Sequence, residues 1–143
     1  MKRTIASLFT LATSLVLTAP GVQAGETCSN ATLEGSYAAK QSAFFFEDRQ
    51  QESGLGVITF DGKGNWSGAV TFVSQTGVQR LTPSGTYAVN PDCTGFAGPS
   101  LTADIVIIDG GKEVYEIITS RADRVVTWTL KKQFPERHHH EKD

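Results

Sequence analysis

The stretch Gly54-Leu55-Gly56-Val57-Ile58-Thr59-Phe60, Asp61-Gly62-Lys63-Gly64-Asn65, Trp66-Ser67-Gly68-Ala69-Val70-Thr71-Phe72-Val73 decides the fold. In its first part Gly56, Ile58 and Phe60 fall on one side of an extended chain. In its last part Trp66, Gly68, Val70 and Phe72 alternate with Ser67 and Thr71. A repeat of two is the signature of a strand with one face buried. Between them, Asp61 to Asn65 carries two glycines, the chemistry of a turn that needs positive φ.

The same pattern spreads in both directions. Runs of alternating residues are expected at Gly35–Phe45, Val78–Val89, Thr94–Ala97, Ala103–Ile108, Glu113–Thr119 and Val125–Lys132. Ser74 to Gly77, Asn90-Pro91-Asp92 and Asp109-Gly110-Gly111-Lys112 supply turns between them. Pro83 interrupts the run from Val78, and proline cannot donate to a ladder, so a bulge or an edge is expected there. Beyond Ala24 no window shows a sustained helical stripe of apolar residues. Eight short strands joined by tight turns make an antiparallel up-and-down meander, which hides its edges best by closing into an eight-stranded barrel. A two-sheet sandwich is the competing arrangement.

Alternation also proposes an inner face. Gly35 and Tyr37 share it with Ile58, Phe60, Trp66, Phe72, Gly85, Tyr87, Val126, Trp128 and Leu130, while Ser36, Ser67, Thr71, Thr86, Thr127 and Thr129 face water. Glycines recur two residues from large side chains, the mix a narrow barrel needs. The aromatic set Tyr37, Phe60, Trp66, Phe72, Tyr87 and Trp128 either lines a ligand pocket, with phenols and indole N–H groups as polar handles, or fills the bore. Phe44-Phe45-Phe46 must put at least one ring on the wrong face; it is a lid or a partner-docking patch, or it packs inward under the loop Glu47 to Ser53. The hairpin from Ile105 to Ile118 is apolar on both sides, so a cover is expected over its outer face, either a second copy of the chain or the N-terminal segment.

Composition narrows the chemistry. The 143 residues carry 13 Lys+Arg and 15 Asp+Glu, a net of −2, which argues against nucleic acid. All three histidines, His138 to His140, lie in the tail, so a nucleophile–histidine pair and most metal ligation are excluded from the domain body. No metal site and no cofactor is expected. Asp104 and Glu116 are the acid–base candidates, each read first as a solvent-facing or hydrogen-bonded carboxylate.

Lys2-Arg3, the uncharged apolar stretch Ile5 to Ala19, Pro20-Gly21 and Val22-Gln23-Ala24 have the three parts of a secretory signal peptide cleaved after Ala24. Residues 25–132 would form the barrel and 133–143 a polar tail, with no membrane span once the signal is removed. Export to a bacterial periplasm or the exterior places Cys28 and Cys93 in an oxidising compartment, where the one internal pairing they allow closes a long loop.

The segments GVITFDGKGNWSG (56–68), SGTYAVNPDCTG (84–95) and DGGKE (109–113) resemble a group of small secreted bacterial proteins. In architecture the reading is similar to the calycin-like barrels, the lipocalin, avidin and allene oxide cyclase type, and Gly35-Ser36-Tyr37 is similar to the lipocalin Gly-x-Trp with Tyr for Trp. The resemblance implies a fold and carries no catalytic residue. The functional expectation is an exported barrel that binds a small apolar or aromatic molecule. The alternatives are a protein-binding module, such as a periplasmic enzyme inhibitor docking through Phe44 to Glu52, and a cofactor-free cyclase or isomerase using Glu116 or Asp104.

Overall fold

The computed structural model describes residues 27–99 and 102–133. The expected signal peptide and His138 to His140 lie outside the described residues. Nine strands are present among them: β1 (Gly35–Phe45), β2 (Gln51–Phe60), β3 (Asn65–Ser74), β4 (Gly77–Leu81), β5 (Ser84–Val89), β6 (Thr94–Gly98), β7 (Ala103–Ile108), β8 (Glu113–Ile118) and β9 (Arg124–Lys132). Two short 3-10 turns, Asn30–Leu33 and Asp109–Gly111, complete the elements.

All pairings are antiparallel, and they close a ring. β1 lies between β2 and β9; the order then runs through β8, β7, β6, β5 and β3, and β3 returns to β2. β4 and β5 are two halves of one run broken at Pro83: Val70–Ser74 of β3 pair with β4, and Asn65–Ser67 pair with β5. Counting those halves once, the fold is a closed eight-stranded antiparallel barrel with one disulfide, Cys28–Cys93. The sandwich does not form.

Local chemistry explains the strand ends. Asp61 Oδ1 accepts from the backbone N–H of Lys63 (2.7 Å) and Asn65 (2.9 Å), and Oδ2 accepts from Asn65 Nδ2 (2.7 Å). The side chain thus satisfies the donors that the β2–β3 turn frees, with Gly62 and Gly64 at positive φ. Those bonds, led by the Asn65 side chain, hold the Asp61 carboxyl down at about 2.

One end of the barrel is shut. The disulfide and a bond from Cys28 N to the Pro91 carbonyl (3.2 Å) hold the N-terminal segment across it. Leu33 is fully buried in the core cluster that also holds Tyr37, Phe60 and Tyr87. Tyr37 Oη donates to the Gly111 carbonyl (2.5 Å), Tyr87 Oη donates to the Asn30 carbonyl (2.9 Å), and Asn30 Oδ1 accepts from Val89 N (2.8 Å). Phe60 sits edge-on between the two phenols, 5.4 Å from Tyr37 and 5.0 Å from Tyr87. The expected hairpin turn Asp109–Lys112 joins β7 to β8, and its first three residues form a 3-10 turn. A Cβ on Gly111, at φ +88°, would collide with the Thr32 carbonyl, so glycine lets the two 3-10 turns touch.

The outer face of the β7–β8 hairpin stays open. Val106, Ile108, Tyr115 and Ile117 are exposed, with Phe96 of β6 beside them. The described N-terminal segment lies at the closed end and does not cover this face, which corrects one of the two expectations for it.

Candidate functional site

The other half of the barrel is hollow, and two glycines show why. Gly54 pairs with Phe72 and Gly85 with Trp66. A Cβ at Gly54 would lie 2.9 Å from the Phe72 ring, and one at Gly85 would lie 2.9 Å from the Trp66 indole nitrogen and collide with the Gly98 carbonyl. Each ring therefore lies over the backbone of the neighbouring strand, against the wall, and leaves the axis open.

The chamber this creates has a volume of about 170 Å³. Ile58 and Phe60 of β2 line it with Trp66 and Phe72 of β3. Leu81 and Pro83 flank the β4–β5 break, and Ala97, Ile105, Glu116, Ile118, Trp128 and Leu130 form the opposite wall. Phe72 and Trp128 meet edge-to-face at 5.9 Å. An apolar void of about 150 Å³ is known to take a molecule as large as benzene. Phe72, Leu81, Ile118 and Trp128 also border a wider vestibule of about 380 Å³, which adds Gln41, Phe45, Glu52, Gln79, Arg121, Arg124 and Val126.

The rim of that vestibule is cross-tied. Arg124 lies 4.2 Å over the Phe45 ring, and its Nε (2.9 Å) and Nη2 (2.5 Å) donate to Asp123 Oδ2. Phe46 N donates to the Asp123 carbonyl (3.0 Å) and Phe45 N to the Gln50 carbonyl (2.9 Å). Phe44 and Phe46 are the exposed rings, 6.0 Å apart outside the rim, while Phe45 faces the vestibule.

Three polar groups stand out inside. Glu116 faces the chamber from the middle of β8, so the reading of it as a solvent-facing carboxylate is corrected. Its period-two position between Val114 and Ile118 carried that signal. Burial pushes its carboxyl up to about 7, and among the described residues the carboxyl has no hydrogen bond or ion pair. Gln41, 2% exposed, reaches the vestibule from β1; its Nε2 donates to Glu52 Oε1 (3.4 Å), and its Oε1 has no partner. Trp66 Nε1 is likewise buried without an acceptor. Asp104 points outward and is exposed, as expected.

Of the six aromatic residues singled out in the sequence, Phe60, Trp66, Phe72 and Trp128 line the chamber. Tyr37 and Tyr87 do not: their inner-face positions lie toward the shut end, where their hydroxyls are used on backbone carbonyls. Gln41, Glu52, Arg121 and Arg124 were not singled out. Gln41 shares its face with Tyr37 and Ala39, so alternation alone could have found it. Among the described residues no three metal-ligating side chains come together.

No protein-family model and no curated protein matches the chain. Among solved structures it is similar to a redesigned β-barrel, mFAP0, bound to DFHBI, at 18% identity over 71% of this chain and 99% of that one, with a TM-score of 0.50. At that identity the likeness speaks for the barrel fold alone.

Proposed function

We propose that this protein binds a small apolar or aromatic molecule in the hollow half of its barrel. The observation that carries the reading is the chamber of about 170 Å³, walled by Phe60, Trp66, Phe72 and Trp128 and continuous with an outer vestibule. Concave, mostly apolar sites with a few placed polar groups are where small ligands bind. A solved barrel of similar fold holds DFHBI, which makes such use of the architecture reasonable. The disulfide and the amino-terminal sequence support work outside the cytoplasm, in the periplasm or beyond it. The test is a screen of the folded, oxidised protein with a polarity-sensitive dye, followed by displacement with a panel of lipids and aromatics. Saturable dye emission that panel members displace supports the reading; a panel and dye that leave the signal flat remove it.

One observation favours a second reading. Glu116 reaches the chamber with a carboxyl poised near neutral pH, which is what a cofactor-free isomerase or cyclase asks of a general acid or base. Turnover of a bound compound by the wild type, lost in Glu116→Gln with binding kept, would establish it. Equal turnover by both proteins would end it.

A further inference from the structure

The chamber's one ionisable group is an acceptor, and Trp66 Nε1 is a buried donor on its wall without an acceptor. Glu116 is the one ionisable side chain among the residues lining it, and the carboxyl has no donor from the described residues. Its cross-strand neighbour on β9 is Trp128, and the neighbour of Trp128 on β1 is Gln41. Three adjacent strands thus set a carboxyl, an indole and an amide side by side where chamber and vestibule meet. Gln41 Oε1 is also an acceptor without a donor, on a side chain 98% buried by its 2% exposure. The rings add the same sign of potential, since an aromatic face carries the negative part of the quadrupole and attracts cations.

We propose that the ligand is an organic cation, an ammonium on a compact aromatic or branched apolar body, with its charged head seated between Glu116 and Trp128. This rests on the reading of the chamber as a small-molecule site and narrows it. The charges on the mouth side do not make a ready anion trap: Arg124 is engaged by Asp123 and Phe45, and Glu52 lies in the same vestibule as Arg121. An apolar anion with its head group at the mouth is the opposing arrangement, and the test includes it.

Phenyltrimethylammonium and tert-butylbenzene have nearly the same shape and differ in charge; 4-tert-butylbenzoate supplies the anion. Binding of each to the oxidised protein at pH 8 is read by tryptophan fluorescence and calorimetry. The expected result is roughly tenfold or tighter binding of the cation over its neutral counterpart. Glu116→Gln, checked for folding by its melting curve, is expected to bring that preference to about twofold or less. The quaternary ammonium does not titrate, so the wild type alone supplies a second measurement: moving from pH 8 to pH 5.5 is expected to erase most of the preference as Glu116 takes up a proton. Facing Glu116 from β7 and β9 are Ile105 and Trp128, which do not titrate there; the charges on the mouth side are Glu52, Arg121 and Arg124. Equal binding of cation and neutral compound overturns the inference while leaving the chamber a binding site. Tighter binding of the benzoate, or a preference untouched by both Glu116→Gln and pH, also overturns it. Binding of none of the three overturns the inference together with the reading beneath it.

Discussion

The phenol of Tyr37 donates a 2.5 Å hydrogen bond to the backbone carbonyl of Gly111, seventy-four residues along the chain. That bond joins the first strand to the β7–β8 turn and helps shut one end of the barrel. Replacing Tyr37 by Phe leaves the ring in place and strands the carbonyl. The expected cost is about 1–2 kcal/mol in urea unfolding, with no change in ligand binding, since Tyr37 does not line the chamber. A loss of binding at unchanged stability would place Tyr37 in the site instead.

The disulfide acts on the same end. Cys28 and Cys93 are 65 residues apart, and constraining a loop of that length in the unfolded chain is worth about 4 kcal/mol in the chain-entropy model. The double variant Cys28→Ser, Cys93→Ser is expected to lose stability of that order. Hydrogen exchange should show the greatest loss of protection around Leu33, within the tethered segment, and Tyr87, which shares its core cluster. Uniform loss across all strands would show that the tether is not what orders that end.

Filling the void separates binding from folding. Ala97 is buried and its side chain borders the chamber. Ala97→Leu is expected to abolish dye binding and to change stability by less than about 1 kcal/mol, because the added carbons enter existing space. Gly85→Ala is the contrast. Its Cβ would meet the Gly98 backbone and the Trp66 indole, so a loss of about 1–3 kcal/mol is expected in thermal or urea unfolding.

Glu116 sets a pH dependence of known sign. Its carboxyl is raised from 4.5 to about 7 by burial, so the folded state holds its proton more tightly than the unfolded state. Stability from this group therefore falls as pH rises between about 4.5 and 7, and the full penalty is present above that. The penalty is on the order of 3 kcal/mol, and Glu116→Gln removes it. Urea unfolding is expected to find the variant more stable than wild type at pH 8 and close to it at pH 4.5. A variant less stable than wild type at pH 8 would mean that the carboxylate is satisfied by a partner.

Much of the barrel is legible in period-two alternation, because one face of each strand is buried and the other is wet. Gly35–Phe45 and Ala103–Ile108 read off residue for residue, and the glycine turn at Asp61–Asn65 was legible from its own chemistry. What alternation cannot supply is position along the axis. Tyr37, Phe60, Trp66 and Phe72 share the inner face, yet Tyr37 ends in a plug and the other three border a void. The difference comes from Leu33 and the Asn30–Leu33 turn entering one end, a long-range contact with no local pattern to announce it. The break at Pro83 was visible as a residue that cannot donate; that it divides one strand into β4 and β5 depended on how β3 pairs with each half. The vestibule charges Arg121, in the β8–β9 connection, and Arg124, the first residue of β9, lie where the sequence reads only as loop.

The most direct measurement is a crystal structure of the oxidised protein soaked with a small aromatic compound that displaces the dye. Ordered ligand density between Trp66 and Trp128, beside Glu116, is the expected result. A bore closed by rings turned inward, or a compound bound only on the outer face around Phe96 and Tyr115, would contradict it.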